Sequence, residues 1–273
     1  MKDNPYKIIF SDMDLTLLYS GTAKISLAGA EAFKRAMQKG IKVCLVSSRH
    51  PRGIKEYFSY FGVEDMPYVA YNGALASAEN DQWLHNYTID TAAAQNICQI
   101  VMQSQIPGLI MMFAQDRWYT DVSSDPGLLK REIAYIGHAP ECVDYRELFA
   151  QGIRPNKFYC ANVPEHSLQL EKLLIQHSHG LHVSRSSQWS LDIMRQGVNK
   201  SVGIAAMLEH FGLDRSEAIA FGDSPNDIEM LQYVGLGVAV DNAMDSVKRV
   251  AQEVTLSNDQ DGVAFFLRNK LEI

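Results

Sequence analysis

The stretch Lys7-Ile8-Ile9-Phe10-Ser11-Asp12-Met13-Asp14-Leu15-Thr16-Leu17-Leu18 decides how the rest of this chain is read. A short apolar run ends in two carboxylates, and a threonine and an apolar pair follow. A carboxylate is costly to bury unless it is paired or holds a metal. Two of them, two residues apart and directly after a strand-like run, require an explanation. In extended backbone, positions i and i+2 point to the same side. Asp12 and Asp14 can therefore face one common point, which suits a nucleophile and a hard cation.

Working outward, strand and helix alternate through the first 75 residues. Lys7–Ser11 reads as a strand. Ser26 caps a helix with Leu27, Ala30, Phe33 and Met37 on its apolar face, stopped near Gly40. Lys42–Ser47 is a second strand. Pro51 suits the first turn of a helix reaching about Phe61–Gly62, and Pro67–Tyr71 is a third strand. The last 75 residues repeat the pattern. A helical stripe of Ile204, Met207, Leu208 and Phe211 closes at Gly212. The strand Ala218–Phe221 runs into Gly222–Asp223. A helix over Asn226–Val234, a strand over Leu236–Val240, a helix over Ala243–Ala251, a strand over Glu253–Leu256 and a helix over Gly262–Asn269 follow. Strands separated by helices imply right-handed βαβ units and a parallel sheet.

The middle differs. It reads as helix (Thr91–Gln103), hairpin (Leu109–Phe113 and Trp118–Asp121), helix (Leu128–Ile136), then strand, helix, strand, strand (Lys157–Asn162, Glu165–His177, Leu181–Ser184, Trp189–Ile193). The expected architecture is thus an α/β core from residues 1–86 and 194–273, with an α+β domain of residues 87–193 inserted, a plausible domain size.

Bulk properties narrow the function. A chain of 273 residues, 47% hydrophobic and 21% charged, is globular rather than disordered. Net charge is -7, from 25 Lys+Arg against 32 Asp+Glu, which argues against nucleic acid as a partner. Anionic small substrates stay open, because a metal and one lysine can reverse the field locally. Cys44, Cys98, Cys142 and Cys160 form no Cys-x-x-Cys pair and suggest neither zinc site nor disulfide framework. Met1–Tyr6 is polar, and no run approaches the roughly 20 apolar residues of a membrane span. The expected location is cytoplasmic, with no membrane partner.

Four polar stations lie at the C-terminal ends of the predicted core strands: Asp12/Asp14, Ser47-Ser48-Arg49, Asn72-Gly73, and Gly222-Asp223 with Asn226-Asp227. Ligands bind at that edge in open α/β sheets. Lys200 precedes the Ile204 helix. Phosphoryl transfer needs such a set. A carboxylate nucleophile and a phosphate dianion repel each other, and a divalent cation, a lysine, a hydroxyl and backbone N–H groups relieve the repulsion. Mg²⁺ with one or two carboxylates fits Asp12 and Asp223. Asp14 is left to protonate the leaving oxygen and activate water.

The order and spacing of these stations resemble the haloacid dehalogenase superfamily, and within it the Cof-type sugar phosphatases. The family pattern Asp-x-Asp-x-Thr is Asp12-Met13-Asp14-Leu15-Thr16. Ser47-Ser48-Arg49 takes the place of its second motif, often Thr-Gly-Arg. Gly197-Val198-Asn199-Lys200 and Gly222-Asp223-Ser224-Pro225-Asn226-Asp227 match the last two. Asn72-Gly73-Ala74 and Ser257-Asn258-Asp259-Gln260-Asp261-Gly262-Val263 also look like this subfamily. The resemblance implies a Rossmann-like core, with the middle segment as the cap that closes over the site and reads the leaving group.

It implies Asp12 as nucleophile, Asp14 as general acid/base and Lys200 as a catalytic cation. Mg²⁺ would be held by the Asp12 carboxylate, the Asp14 backbone carbonyl and Asp223, with Asp227 close behind. Ser47 and Lys200 would grip the phosphate with Asn226 helping, and Ser48, Arg49 and Asn72 complete the substrate-side set, with a structural ion pair the equal alternative for Arg49. Leu15 stands where the subfamily usually has glycine, which questions the loop geometry. Ser48 replaces a common glycine.

The expected protein is an Mg²⁺-dependent phosphatase of a small phosphate ester, first a sugar phosphate, working as a monomer or small homo-oligomer. A phosphomutase and a low-turnover regulatory protein on the same fold are the alternatives. A receiver-type signalling domain would need neither Asp14 nor so large an insertion. His177, His179 and His182 read as a solvated turn, since no carboxylate or cysteine accompanies them. His50 reads as a helix-start residue, and Trp83, Trp118 and Trp189 as packing residues.

Overall fold

A computed structural model describes residues 5–121 and 125–272, so most of the polar start lies outside the described residues. The chain divides into two compact units, residues 1–85 with 199–273, and residues 86–198.

The first unit opens with β1 (Ile8–Ser11), α1 (Leu27–Gln38), β2 (Lys42–Val46), α2 (Pro51–Lys55), β3 (Tyr68–Ala70), β4 (Leu75–Ala78) and β5 (Gln82–Asn86). The inserted unit holds α3 (Thr91–Ser104), β6 (Leu109–Ala114), β7 (Arg117–Asp121), α4 (Pro126–Ile136), β8 (Glu141–Val143), α5 (Tyr145–Ala150), β9 (Lys157–Ala161), α6 (Pro164–His177), β10 (Leu181–Ser187) and β11 (Ser190–Arg195). The chain returns through α7 (Lys200–Phe211), β12 (Ala218–Gly222), α8 (Ile228–Tyr233), β13 (Leu236–Ala239), α9 (Asp245–Lys248), β14 (Glu253–Val254) and α10 (Gly262–Leu271).

Among the described residues the first unit carries an eight-stranded sheet in the order β14-β13-β12-β1-β2-β3-β4-β5. From β14 to β3 neighbouring strands are parallel. Residues of β1 and β12 are all buried, as expected where helices cover both faces of a parallel sheet. Beyond β1 the chain steps one way through β2 and β3. Beyond β12 it steps the other way through β13 and β14. The order therefore reverses between β1 and β12, and their C-terminal ends flank a switch point of the kind that forms ligand sites.

Three local readings need correction. The helix opened by Pro51 ends at Lys55, and a separate 3₁₀ turn, Phe58–Phe61, closes on Gly62 in the left-handed region. β4 and β5 are absent from the sequence reading. Leu75-Ala76-Ser77-Ala78 has weak strand propensity, yet it is wholly buried and pairs antiparallel with β3. The core also resumes later than residue 194, because β11 pairs with β9 through Met194 and with β10 through Arg195.

Among its described residues the inserted unit carries a six-stranded sheet, β10-β11-β9-β6-β7-β8, antiparallel except for β7 with β8. β8 and α5 were not expected from the sequence. The three residues of β8, two exposed and one half-buried, carry little strand signal, and pairing with β7 supplies the rest. The buried Tyr145 hydroxyl of α5 lies within hydrogen-bond reach of the Ile110 and Tyr119 carbonyls, at 2.9 and 3.1 Å. Ile97, Met112, Phe158, Leu170, Leu174 and Ile193 form the core of this unit. Of the tryptophans, Trp118 is packed inside, stacked on Phe113, whereas Trp83 and Trp189 are 43% and 42% exposed. No helix among the described residues is long and apolar enough to cross a membrane.

Candidate active site

Each polar station follows the last residue of a core strand. Asp12 follows β1, and its backbone N–H donates to the Phe221 carbonyl of β12 at 3.0 Å. Asp223 follows β12. Ser47 follows β2, donating its N–H to the Val69 carbonyl of β3 at 2.9 Å. Tyr71, Asn72 and Gly73 follow β3, all with positive φ. A Cβ on Gly73 would lie 1.9 Å from the Asn199 carbonyl, so glycine lets the start of α7 approach this turn. Asn199 caps α7 by accepting from the Val202 N–H. Cap and close approach together fix Lys200 at the first position of the helix.

Lys200 is 1% exposed, and its ammonium donates to Asp12 Oδ1 and to Asp227 Oδ1, both at 2.5 Å. The other oxygen of Asp227 accepts the Asp223 and Ser224 N–H groups, each at 3.0 Å. Gly222 makes room for this arrangement, since a Cβ there would lie 2.6 Å from the Asp227 Cβ. Asp223 Oδ1 accepts from the Thr16 hydroxyl at 2.8 Å, and Oδ2 from the Ser224 hydroxyl at 2.7 Å. Asp12, Asp223 and Asp227 each offer an oxygen within 4.8 Å of the others, the one such group among the described residues.

Three buried carboxylates thus face one ammonium, and two negative charges remain unbalanced. Burial pushes the Asp12 carboxyl well above its ordinary value; Lys200 opposes the shift, and Asp227 and Asp223 add to it. Burial and Asp227 likewise raise Asp223, against Ser224, Thr16 and Lys200. Burial works against the Lys200 charge, but Asp12 and Asp227 outweigh it and hold the ammonium above the ordinary lysine range. An all-oxygen, over-negative cluster at a switch point suits a hard divalent cation such as Mg²⁺.

Asp14 stands apart from this cluster. Its carboxylate accepts two N–H bonds from Arg49, Nε to Oδ2 at 2.8 Å and Nη2 to Oδ1 at 2.6 Å. Ser47 is buried, its hydroxyl accepting from the Arg49 N–H at 3.2 Å, and Ser48 is half-buried. Asn72 donates its N–H to the Ser47 carbonyl and accepts from Asn226 Nδ2, both at 2.9 Å. His50 is the N-cap of α2, its Nδ1 accepting from Gly53, which fixes the ring as a helix-start residue.

Leu15 adopts φ 60, the left-handed region that ordinarily favours glycine. Its side chain is 46% exposed and its carbonyl accepts from Asn242 Nδ2 at 2.7 Å. Asn258 in turn holds the Leu18 carbonyl at 2.8 Å, and Tyr19 donates to Asp261 at 3.0 Å. The C-terminal Ser257–Val263 motif is therefore an anchor for the loop after Asp14. Sequence reasoning missed Thr16 and Ser224 as orienters of Asp223. A signal existed for both: Thr16 closes the first motif, and Ser224-x-x-Asp227 is a capping pattern. Asn242 lies 227 residues from its partner and gave none.

The haloacid dehalogenase-like hydrolase family matches residues 9–267. A Haemophilus influenzae protein is 30% identical over 265 residues, covering 97% of this chain and 98% of its own. The Bacillus subtilis protein named 5-amino-6-(5-phospho-D-ribitylamino)uracil phosphatase YitU is 27% identical, with 98% of each chain covered. A haloacid dehalogenase-like hydrolase from Bacteroides thetaiotaomicron superposes with a TM-score of 0.85 at 26% identity, covering 97% of this chain and 99% of that one.

Proposed function

Because this chain belongs to the haloacid dehalogenase-like hydrolases and is a phosphoric monoester hydrolase, we propose that it cleaves small phosphorylated metabolites, sugar phosphates first, with Mg²⁺ and an aspartyl-phosphate at Asp12. The observation that carries this reading is the buried Asp12–Lys200–Asp227–Asp223 cluster at the β1/β12 switch point. The YitU relative, named for a phosphorylated ribityl compound, supports a polyol or sugar phosphate as the first substrate class.

Mg²⁺, held by Asp12, Asp223 and the Asp14 carbonyl, would neutralise carboxylate and phosphoryl charge when bound. The chain's own residues do the rest. Lys200 fixes Asp12 Oδ1, which leaves Oδ2 to attack phosphorus. The bond from phosphorus to the ester oxygen breaks, and Asp14 donates a proton to that oxygen. Water then attacks the phosphorylated Asp12, Asp14 takes its proton, and orthophosphate leaves with Asp12 restored. Thr16 and Ser224 hold Asp223 in orientation through both oxygens. Ser47 and Lys200 hold phosphoryl oxygens, with Asn226 as helper.

The test is phosphate release from a panel of sugar and polyol phosphates, with and without chelator. Chelation should silence turnover and added Mg²⁺ restore it. Full activity in metal-free buffer would remove the metal from the reading, and phosphate release spread evenly over nucleotides and cofactor phosphates would remove the substrate class.

A further inference from the structure

Arg49 occupies both oxygens of Asp14 in a two-pronged pair, and that pair is supported from behind. Its Nη1 reaches the Tyr57 hydroxyl at 3.3 Å, and that hydroxyl donates to the Ala23 carbonyl at 3.0 Å. The Tyr57 ring is buried, with the guanidinium 5.5 Å from its centroid. The Arg49 backbone is pinned as well: its N–H reaches the Ser47 hydroxyl, and its carbonyl accepts from the Tyr71 N–H at 3.0 Å.

An arginine meant for the transferred phosphate would present its fork outward. Here the fork matches a carboxylate in the planar geometry that makes such pairs directional. To act as the acid, Asp14 carries its proton on one oxygen, which gives up its N–H contact and turns the O–H to the leaving oxygen while the other oxygen stays on the guanidinium. A carboxyl held in this way gains, because small misplacements are costly in rate.

We propose that Arg49 is the positioning residue of Asp14, braced by Tyr57, rather than a phosphate contact. The proposal rests on Asp14 being the leaving-group acid. Of the two readings the sequence left open for Arg49, substrate contact and structural ion pair, it takes the second and gives that pair a purpose. Two classes of ester separate the roles, since an acid matters most for a poor leaving group. Glucose 6-phosphate and glycerol 3-phosphate have poor leaving groups; p-nitrophenyl phosphate has a good one.

Arg49→Met should lower kcat on the alkyl esters by about 10- to 100-fold, with KM within about threefold, and cost at most a few-fold on the aryl ester. Arg49→Lys should recover part of the loss. Tyr57→Phe should give the same pattern at smaller size, and it carries the test if Arg49→Met fails to fold. In an Asp14→Asn background, Arg49→Met should add less than about threefold, because its target is gone. A KM rise shared by both esters and undiminished in that background would make Arg49 a phosphate contact and overturn the proposal. If Asp14→Asn itself spares the alkyl esters, the acid assignment fails first. If Asp14→Asn shows the alkyl-selective loss and Arg49→Met does not, the positioning role alone fails.

Discussion

Each unit of the molecule buries a lysine against carboxylate, and the two sites differ in charge balance. In the first, Lys200 meets Asp12 and Asp227 at 2.5 Å with Asp223 alongside. In the second, Lys157 of β9 meets Asp192 of β11 at 3.0 Å, with the Phe113 and Tyr159 ring centroids 5.4 and 5.7 Å from the ammonium. The Lys157–Asp192 contact is a charge pairing rather than a directed hydrogen bond, since Asp192 Oδ1 finds no well-aligned donor. Both lysines are nearly inaccessible, so burial does not distinguish the sites. The first has three acids for one cation, at the ends of parallel strands. The second, among the described residues, pairs one acid with one cation within an antiparallel sheet among aromatic rings. Uncompensated charge, not depth, marks the place that suits a divalent ion.

The comparison can be broken most sharply at Asp12. Asp12→Asn should lower turnover of p-nitrophenyl phosphate by about a thousandfold or more, because it removes the attacking oxygen's charge. Turnover within tenfold of the parent would end the nucleophile assignment. Next come the two lysines as stability elements. Lys157→Met should cost about 3–5 kcal/mol by stranding Asp192, and the double variant Lys157→Met/Asp192→Leu should regain most of it. Urea unfolding measures both, and a double variant as unstable as the single one would show that the pair contributes more than charge compensation. Mg²⁺ should raise the unfolding midpoint of the parent and of Lys157→Met alike, but not that of Asp12→Asn/Asp223→Asn.

Two smaller effects sharpen the contrast between loop strain in one unit and packing in the other. Leu15→Gly should leave the fold intact and stabilise it by about 1 kcal/mol or less. Relief of the left-handed strain, about 1–2 kcal/mol, exceeds the entropic cost of glycine, about 0.5–1 kcal/mol. A lowered melting temperature would show that the half-exposed leucine packs for gain. In the inserted unit, burial pushes the Cys98 thiol from the ordinary 9 up to about 12. A raised thiol pKa leaves stability intact below pH 9 and erodes it as pH climbs toward 12, because the unfolded chain ionises first. Between pH 8 and pH 10 the parent should therefore lose about 1 kcal/mol relative to Cys98→Ala. Parallel losses in both proteins would acquit Cys98.

Legibility followed distance along the chain. Asp12, Ser47, Lys200 and Asp223 were readable because each sits where a local pattern changes, at a strand end or a helix start. Ser26, Gly40 and Gly212 marked helix boundaries through the same backbone rules, and the structure places helix ends there. β4 was not legible, because Leu-Ala-Ser-Ala is a strand only by virtue of pairing with β3 and burial under α7. The role of Leu15 was half-legible. Its substitution for a usual glycine pointed to the loop, but not to the Asn242 and Asn258 bonds that hold it.

By itself the sequence determined the alternating strands and helices of the core, the inserted segment and the residue types gathered at the strand ends. Periodicity, capping and turn chemistry act over a few residues and leave their mark in the local order of side chains. Tertiary structure alone decided which of those groups meet. Thr16 reaches Asp223 across 207 positions because the sheet sets β12 beside β1, and Lys200 reaches Asp12 across 188 because α7 starts against the turn after β3. Asp14 turns to Arg49, away from the other acids, because the loop after β2 presents a braced guanidinium there. Such pairings depend on strand order and close packing, and no window of neighbouring residues encodes them.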